Sequence, residues 1–231
     1  MKLTVVSGGA AQALVTSLAD PFRASTALDI DATFGAVGAM IEKLVAGAPA
    51  DLVILTAEAI ADLEGRGLVV PGTATDIGIV HTGIAVRAGD PLPAIGTAAE
   101  LRDALRAADA IYFPDPARAT AGIHFAKVMR QLGVADELAP RFRTYPNGHA
   151  AMTAMAVQCG GRSIGCIQVT EILAVPRVEV AGLLPHEFEL ATLYTAAVAT
   201  NAARPEEARK LAALLAGSEA AAERERAGFS A

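Results

Sequence analysis

The chain opens on Met1-Lys2-Leu3-Thr4-Val5-Val6-Ser7-Gly8-Gly9-Ala10-Ala11-Gln12, a short apolar run that ends in a polar turn and passes straight into an Ala-rich stretch. This reads as a strand over about residues 2–6 and a helix reaching about Ala24. The turn between them sits at the carboxyl end of the strand. Helix N–H groups without an intrahelical partner gather there beside the Ser7 hydroxyl, at the positive end of the helix dipole. Such a turn holds an anion without a charged side chain. Gly8 and Gly9 let a ligand come close to the backbone. No basic n-region or long apolar h-region precedes the strand, so a cytoplasmic chain is expected, or a periplasmic one from which a leader was removed.

The same unit repeats. Residues 28–34 read as a second strand, 37–45 as a helix, and 51–55 as a third strand with Thr56 placed to cap the helix after it. The functional turns of such units lie at strand carboxyl ends, here Ser7-Gly8, Gly35-Ala36-Val37 and Thr56. The rhythm then changes to a long strand-like stretch over 77–87, followed by a Gly-Asp-Pro-Leu-Pro break. Alternation resumes with a helix at 98–107, a strand at 110–113, a helix near 121–132, a strand near 141–145, a helix opened by His149, and a buried strand at 163–167. Residues 190–199 form a second long apolar segment, and helices at about 205–216 and 218–227 end the chain.

This order predicts an α/β protein of two lobes, each a mostly parallel sheet flanked by helices. Residues 1–80 plus 196–231 form the first lobe and 85–190 the second, with crossings near 80–85 and 190–196. Two crossings put a cleft between the lobes, suited to a small anion.

Composition narrows the partners. The 231 residues carry a formal charge of −6 and only 4% aromatics, with Lys and Arg scattered, which excludes a nucleic-acid footprint. No apolar run has the length of a membrane span. Cys159 and Cys166 flank Gly160-Gly161 at a spacing that fits neither a redox motif nor zinc, and the four histidines do not cluster. Two reduced structural thiols, no metal and no cofactor are the expectation. Spacing leaves a disulfide between the two open.

Val5-Val6-Ser7-Gly8-Gly9, Ala50-Asp51-Leu52-Val53-Ile54-Leu55, Asp115-Pro116, Thr120-Ala121-Gly122-Ile123, Ile164-Gly165 and Gly228-Phe229 occur here in order. Together they resemble the molybdate-binding-protein-like family, periplasmic solute-binding proteins of the type II two-lobed fold. The resemblance runs over essentially the whole chain. It implies a small anionic ligand held by hydroxyls and backbone amides at the cleft. On the first lobe these would come from Ser7, Gly8 and the Ala36-Val37 turn. On the second they would come from Thr120, Ala121, the Gly148-His149 helix start and Gln168. Three departures favour an organic acid over a metal oxyanion. The second turn reads Gly-Ala-Val-Gly without a hydroxyl, Gln168 stands where molybdate binders use a tyrosine, and His149 is added at a helix start.

Each candidate also has a plainer reading. Ser7, Thr56 and Thr120 could cap helices, Gln168 could bond backbone, and His149 could be a surface residue. His124, His81 and Tyr194 read as packing residues, while His186 and Arg118 read as solvated. Two functions compete on this page. The first is a small-anion binder, with an ABC permease as partner only if the chain is exported. The second, implied by the wider resemblance, is a cofactor-independent isomerase of an unsaturated carboxylate, similar to aconitate isomerases. That chemistry needs oxyanion donors at Ser7, Ala121 and Gly148, and His149 as the base.

Overall fold

A computed structural model describes residues 1–158 and 160–230. The strands are β1 Lys2–Gly8, β2 Asp29–Gly35, β3 Leu52–Thr56, β4 Thr75–Arg87, β5 Ala110–Pro114, β6 Phe142–Tyr145, β7 Ser163–Gln168, β8 Val178–Leu183 and β9 Ala191–Val198. The α-helices are α1 Gln12–Ser17, α2 Ala19–Thr26, α3 Val37–Val45, α4 Ala57–Gly65, α5 Ala98–Ala107, α6 Thr120–Gln131, α7 Ala135–Leu138, α8 Gly148–Val157, α9 Val169–Leu173, α10 Pro205–Ala216 and α11 Ala221–Arg226. They fall into two compact units, Met1–Val80 with Thr192–Ala231, and His81–Ala191. The chain returns to the first unit at Thr192, ahead of the residue-196 return drawn from the sequence.

In the first unit the strand order is β2-β1-β3-β9-β4. β1 is parallel to β2 and to β3, and β9 lies antiparallel to β3. Alternation along the strands divides the core in two. Leu3, Val5, Leu52 and Ile54 pack with Leu14, Phe22 and Leu211 in one cluster, while Val6, Val53 and Leu55 pack with Met40, Ile60 and Leu63 in another. Both faces are therefore covered, which is why these strands read as near-continuous apolar runs. The opening helix is not continuous as the sequence suggested. A 3₁₀ turn over Gly9–Ala11 precedes α1, and the chain breaks at Leu18 before α2. Pro21 explains the break: without an N–H it fits the first turn of a new helix better than the middle of an old one.

In the second unit the order is β4-β7-β5-β6, with β8 also on β4. β5 is parallel to β6 and β7, while β7 and β8 are antiparallel to β4. β8 is absent from the sequence reading. It is a half-buried strand with no strong alternation to announce it. Cys166 is a thiol buried in β7, and burial pushes its pKa well up; Cys159 lies outside the described residues.

Asp51 ties the first unit together at the start of β3. Its Oδ2 accepts the Thr4 N–H at 2.8 Å and its Oδ1 accepts the Arg204 N–H at 2.9 Å, joining β1 to the approach to α10. The side chain is buried. Asp51→Ala should therefore lower unfolding stability by about 1–3 kcal/mol, because two main-chain donors lose their acceptor. Urea titration checks this, and an unchanged midpoint would show that solvent replaces the carboxylate.

Candidate functional site

In the first unit the candidate residues lie where β1 and β2 end. Ser7 is fully buried, and its Oγ donates to the Gly8 carbonyl at 2.9 Å. It caps no helix: the following 3₁₀ turn has Gly8 at its cap and no side-chain bond there. A Cβ on Gly8 would fall 2.9 Å from Cε1 of Tyr194 and 3.3 Å from its hydroxyl, so only glycine fits beneath that ring. Tyr194 lies opposite Thr56 on β9 and meets Phe229 edge to face. The ring assigned to packing thus also lies against the Ser7-Gly8 turn. At the second turn Ala36 is the extended N-cap of α3 and supplies no side-chain acceptor, and Val37 opens the helix. Thr56 differs, since its Oγ1 accepts the Ala59 N–H at 3.2 Å and closes α4.

The second unit repeats this contrast. α6 starts after residues 115–119 and packs its first turn against the end of β5. A Cβ on Gly122 would fall 2.3 Å from the Pro114 carbonyl oxygen and 2.5 Å from that of Asp115. Its N-cap is Ala119, with no side-chain acceptor, so Thr120 and Ala121 begin an uncapped helix. Arg118 beside them is exposed. α8 is capped instead, by Asn147, whose Oδ1 accepts the Ala150 N–H at 2.8 Å.

Glu171 completes that second cap, and the sequence reading missed it. Its Oε1 accepts the His149 N–H at 3.2 Å, and Gly148 donates a further main-chain bond. A Cβ at position 148 would fall 2.5 Å from Oε2. The amides that the resemblance assigns to a ligand are therefore held by the protein's own carboxyl. Glu171 is 6% exposed, and burial raises its pKa to about 7 against the pull of those two donors. Gln168 ends β7 and stands buried at the N-cap of α9, three residues before it. The run Gln168-Val169-Thr170-Glu171 offers one readable signal, an acid in the first turn of a helix. Its burial is a tertiary fact.

The other histidines are engaged elsewhere. His124 Nε2 lies 2.8 Å from the Phe188 carbonyl, His81 Nδ1 lies 3.2 Å from Glu189, and His186 is fully exposed. Among the described residues no group of His, Cys, Asp and Glu is placed to hold a metal. A cavity of about 730 Å³ in the second unit is lined by Val86, Leu92, Ala104 and Ile164 with Asp90, Glu100 and Asp103. Three carboxylates against the one cation Arg162 give it a net negative lining that disfavours an anion, and none of the candidate residues lines it.

Residues 3–230 match the family model described as bacterial extracellular solute-binding protein, and the chain belongs to that family. It is similar to an aconitate isomerase from a Pseudomonas species, with 27% identity over 225 residues, covering 95% of this chain and 84% of that protein. Its fold is shared with the periplasmic molybdate-binding protein of Azotobacter vinelandii, at a TM-score of 0.84 and 19% identity over 100% of this chain and 99% of that one. It is shared also with PEB3 of Campylobacter jejuni bound to L-phospholactate, at a TM-score of 0.72 and 14% identity over the full length of both.

The geometry at Glu171 makes stability pH-dependent. Folding lifts this carboxyl from 4.5 to about 7, so protonation favours the folded chain. That contribution is fully present below pH 4.5 and is lost as pH rises through 7. Its size is about 3 kcal/mol at 1.36 kcal/mol per pKa unit. Glu171→Gln keeps the shape and cannot ionise. Between about pH 4 and about pH 8 the variant should gain stability relative to the unmutated protein by that amount. Denaturant titrations across this range test it, and parallel pH profiles would refute it.

Proposed function

We propose that the chain is a binding protein for a small anion, with organic carboxylates preferred over molybdate. The observation that carries this is that α3 and α6 start near strand carboxyl ends without a side-chain cap, at Ala36-Val37 and Thr120-Ala121, in a chain of a solute-binding family. Amides left without a side-chain acceptor are donors for a ligand. Ser7, Gly8, Gly148, His149 and Gln168 are the further contacts in this reading. The preference for carboxylates rests on the second turn, which lacks a hydroxyl, and on the acid and imidazole near the start of α8. The family supports a role outside the cytoplasm, with an ABC permease as partner, over the cytoplasmic location expected from the N-terminal residues. Among the described residues no helix is long and apolar enough to cross a membrane.

Thermal-shift screening against molybdate, sulfate, inorganic phosphate, citrate and trans-aconitate should show stabilisation by carboxylates, about 2.7 kcal/mol at roughly 100 times the dissociation constant. Ser7→Ala should weaken the best of them by about 1–3 kcal/mol, as for loss of a donor to a charged group. Tight molybdate binding without any response to carboxylates would overturn the preference.

A second reading is favoured by the similarity to aconitate isomerase across 95% of the chain. Here the site moves a proton along an allylic carboxylate, with His149 as its carrier. Its Nδ1 is buried without a hydrogen-bond partner. His149→Ala should then reduce exchange of an allylic proton of trans-aconitate into deuterated water by about 10²–10⁴-fold while binding persists. No exchange by the unmutated protein would leave the binder alone standing.

A further inference from the structure

The α8 start poses a problem for any anion that binds there. A ligand needs the Gly148 and His149 amides, and the Glu171 carboxyl already has them. The carboxyl is no surface group that can swing away into water: it is 94% buried if its 6% exposure is taken from the whole, and Gly148 leaves it room that a Cβ would fill. Among the described residues its partners are the two main-chain donors. The elements packed on α9 bring the titratable side chains His149 of α8, Cys166 of β7 and Glu179 of β8. Cys166 is a neutral buried thiol, and Glu179 accepts the Gly89 N–H at 3.1 Å. Two polar atoms of neighbouring residues are buried without a hydrogen-bond partner among the described residues. They are Nδ1 of His149, whose N–H Glu171 accepts, and Oγ1 of the preceding residue, Thr170, which is 1% exposed.

Two anionic oxygens cannot lie within hydrogen-bond reach in such surroundings unless a proton lies between them. We propose that Glu171 is the specificity-determining acid of the site, and that an anion bound at the α8 start is taken up together with one proton held between its oxygen and the Glu171 carboxyl. The inference rests on the reading of the chain as an anion binder that uses this helix start. The proton comes from water or buffer, or arrives on the ligand. The carboxylate becomes a neutral acid, one oxygen keeps the His149 N–H, and the O–H of the other donates to the ligand. No other bond forms or breaks. Near-neutral titration of the empty site supports this, because uptake then costs little at working pH. The consequence is that anions carrying no proton lose affinity as pH rises above 7, whereas hydrogen phosphate, which brings its own proton to the ionised carboxyl, keeps it.

Calorimetry tests this on the full chain with sulfate, molybdate, inorganic phosphate, citrate and trans-aconitate, at about pH 6 and about pH 8.5, in buffers of different ionisation enthalpy. Sulfate and trans-aconitate, which do not titrate in this range, give the plainest readout. Their binding should take up close to one proton at the higher pH, and affinity should fall about tenfold per pH unit above 7. In Glu171→Gln both effects should vanish. The unmutated protein decides the matter even if the variant does not fold: anion binding without proton uptake overturns the inference and leaves the anion-binder reading intact. Equal uptake in the variant overturns it too. If none of the five anions binds at either pH, the anion-binder reading falls and the inference with it.

Discussion

Main-chain N–H groups at the start of a helix must find an acceptor, and the helices of this chain meet that demand in different ways. α5 carries a full capping box, in which Thr97 accepts the Glu100 N–H and the Glu100 side chain accepts the Thr97 N–H. α4 is closed by Thr56, and α8 by Asn147 with Glu171 behind it. α3 and α6 begin on Ala36 and Ala119, which have nothing to offer. α3 follows β2 after Ala36 alone, and α6 follows β5 after residues 115–119. A start without a side-chain acceptor has donors to spare, and at a capped one any ligand must come to terms with the cap.

The strand–turn–helix order was legible because its signals are local. Apolar runs at Leu3–Val6 and Leu52–Leu55, small residues at each turn and helical spacing after them do not depend on distant contacts. The break at Leu18 followed from Pro21 and was there to be read. β8 was not, because its register comes from β4 and its residues are half-buried rather than alternating. The candidate site divides along the same line. Turn residues such as Ser7, Gly8 and Ala36 announce themselves, whereas Tyr194 reaches the Gly8 turn, and Glu171 the α8 start, only through the packing of β9 and α9.

Glu171 also changes what the neighbouring residues mean. Read from the sequence, Gly148-His149 is an anion site with an imidazole added. In the structure it is an anion site with the anion supplied, and His149 becomes the residue whose backbone holds that acid while its ring Nδ1 stays unpartnered. Desolvation outweighs the two main-chain bonds, which leaves the carboxyl close to the point where half its molecules carry a proton at neutral pH. A group in that balance responds to a small change in its surroundings, and a second negative charge is a large one. Both proposed functions use this. A binder gains a proton with its ligand, and an isomerase gains a second proton-bearing group beside the histidine.

Gly148 and Glu171, which bond across a separation of one helix and one strand, depend on each other. All three carboxyl atoms lie 2.5–2.8 Å from where a Cβ at position 148 would be, so any side chain there displaces the acid. The reverse constraint is electrostatic: with a large residue at 148 the carboxyl would lose its room but keep its desolvation cost, and a buried unpaired carboxylate is among the least tolerable groups in a protein interior. A larger residue at position 148 of this chain would therefore exclude the acid from the place it takes here.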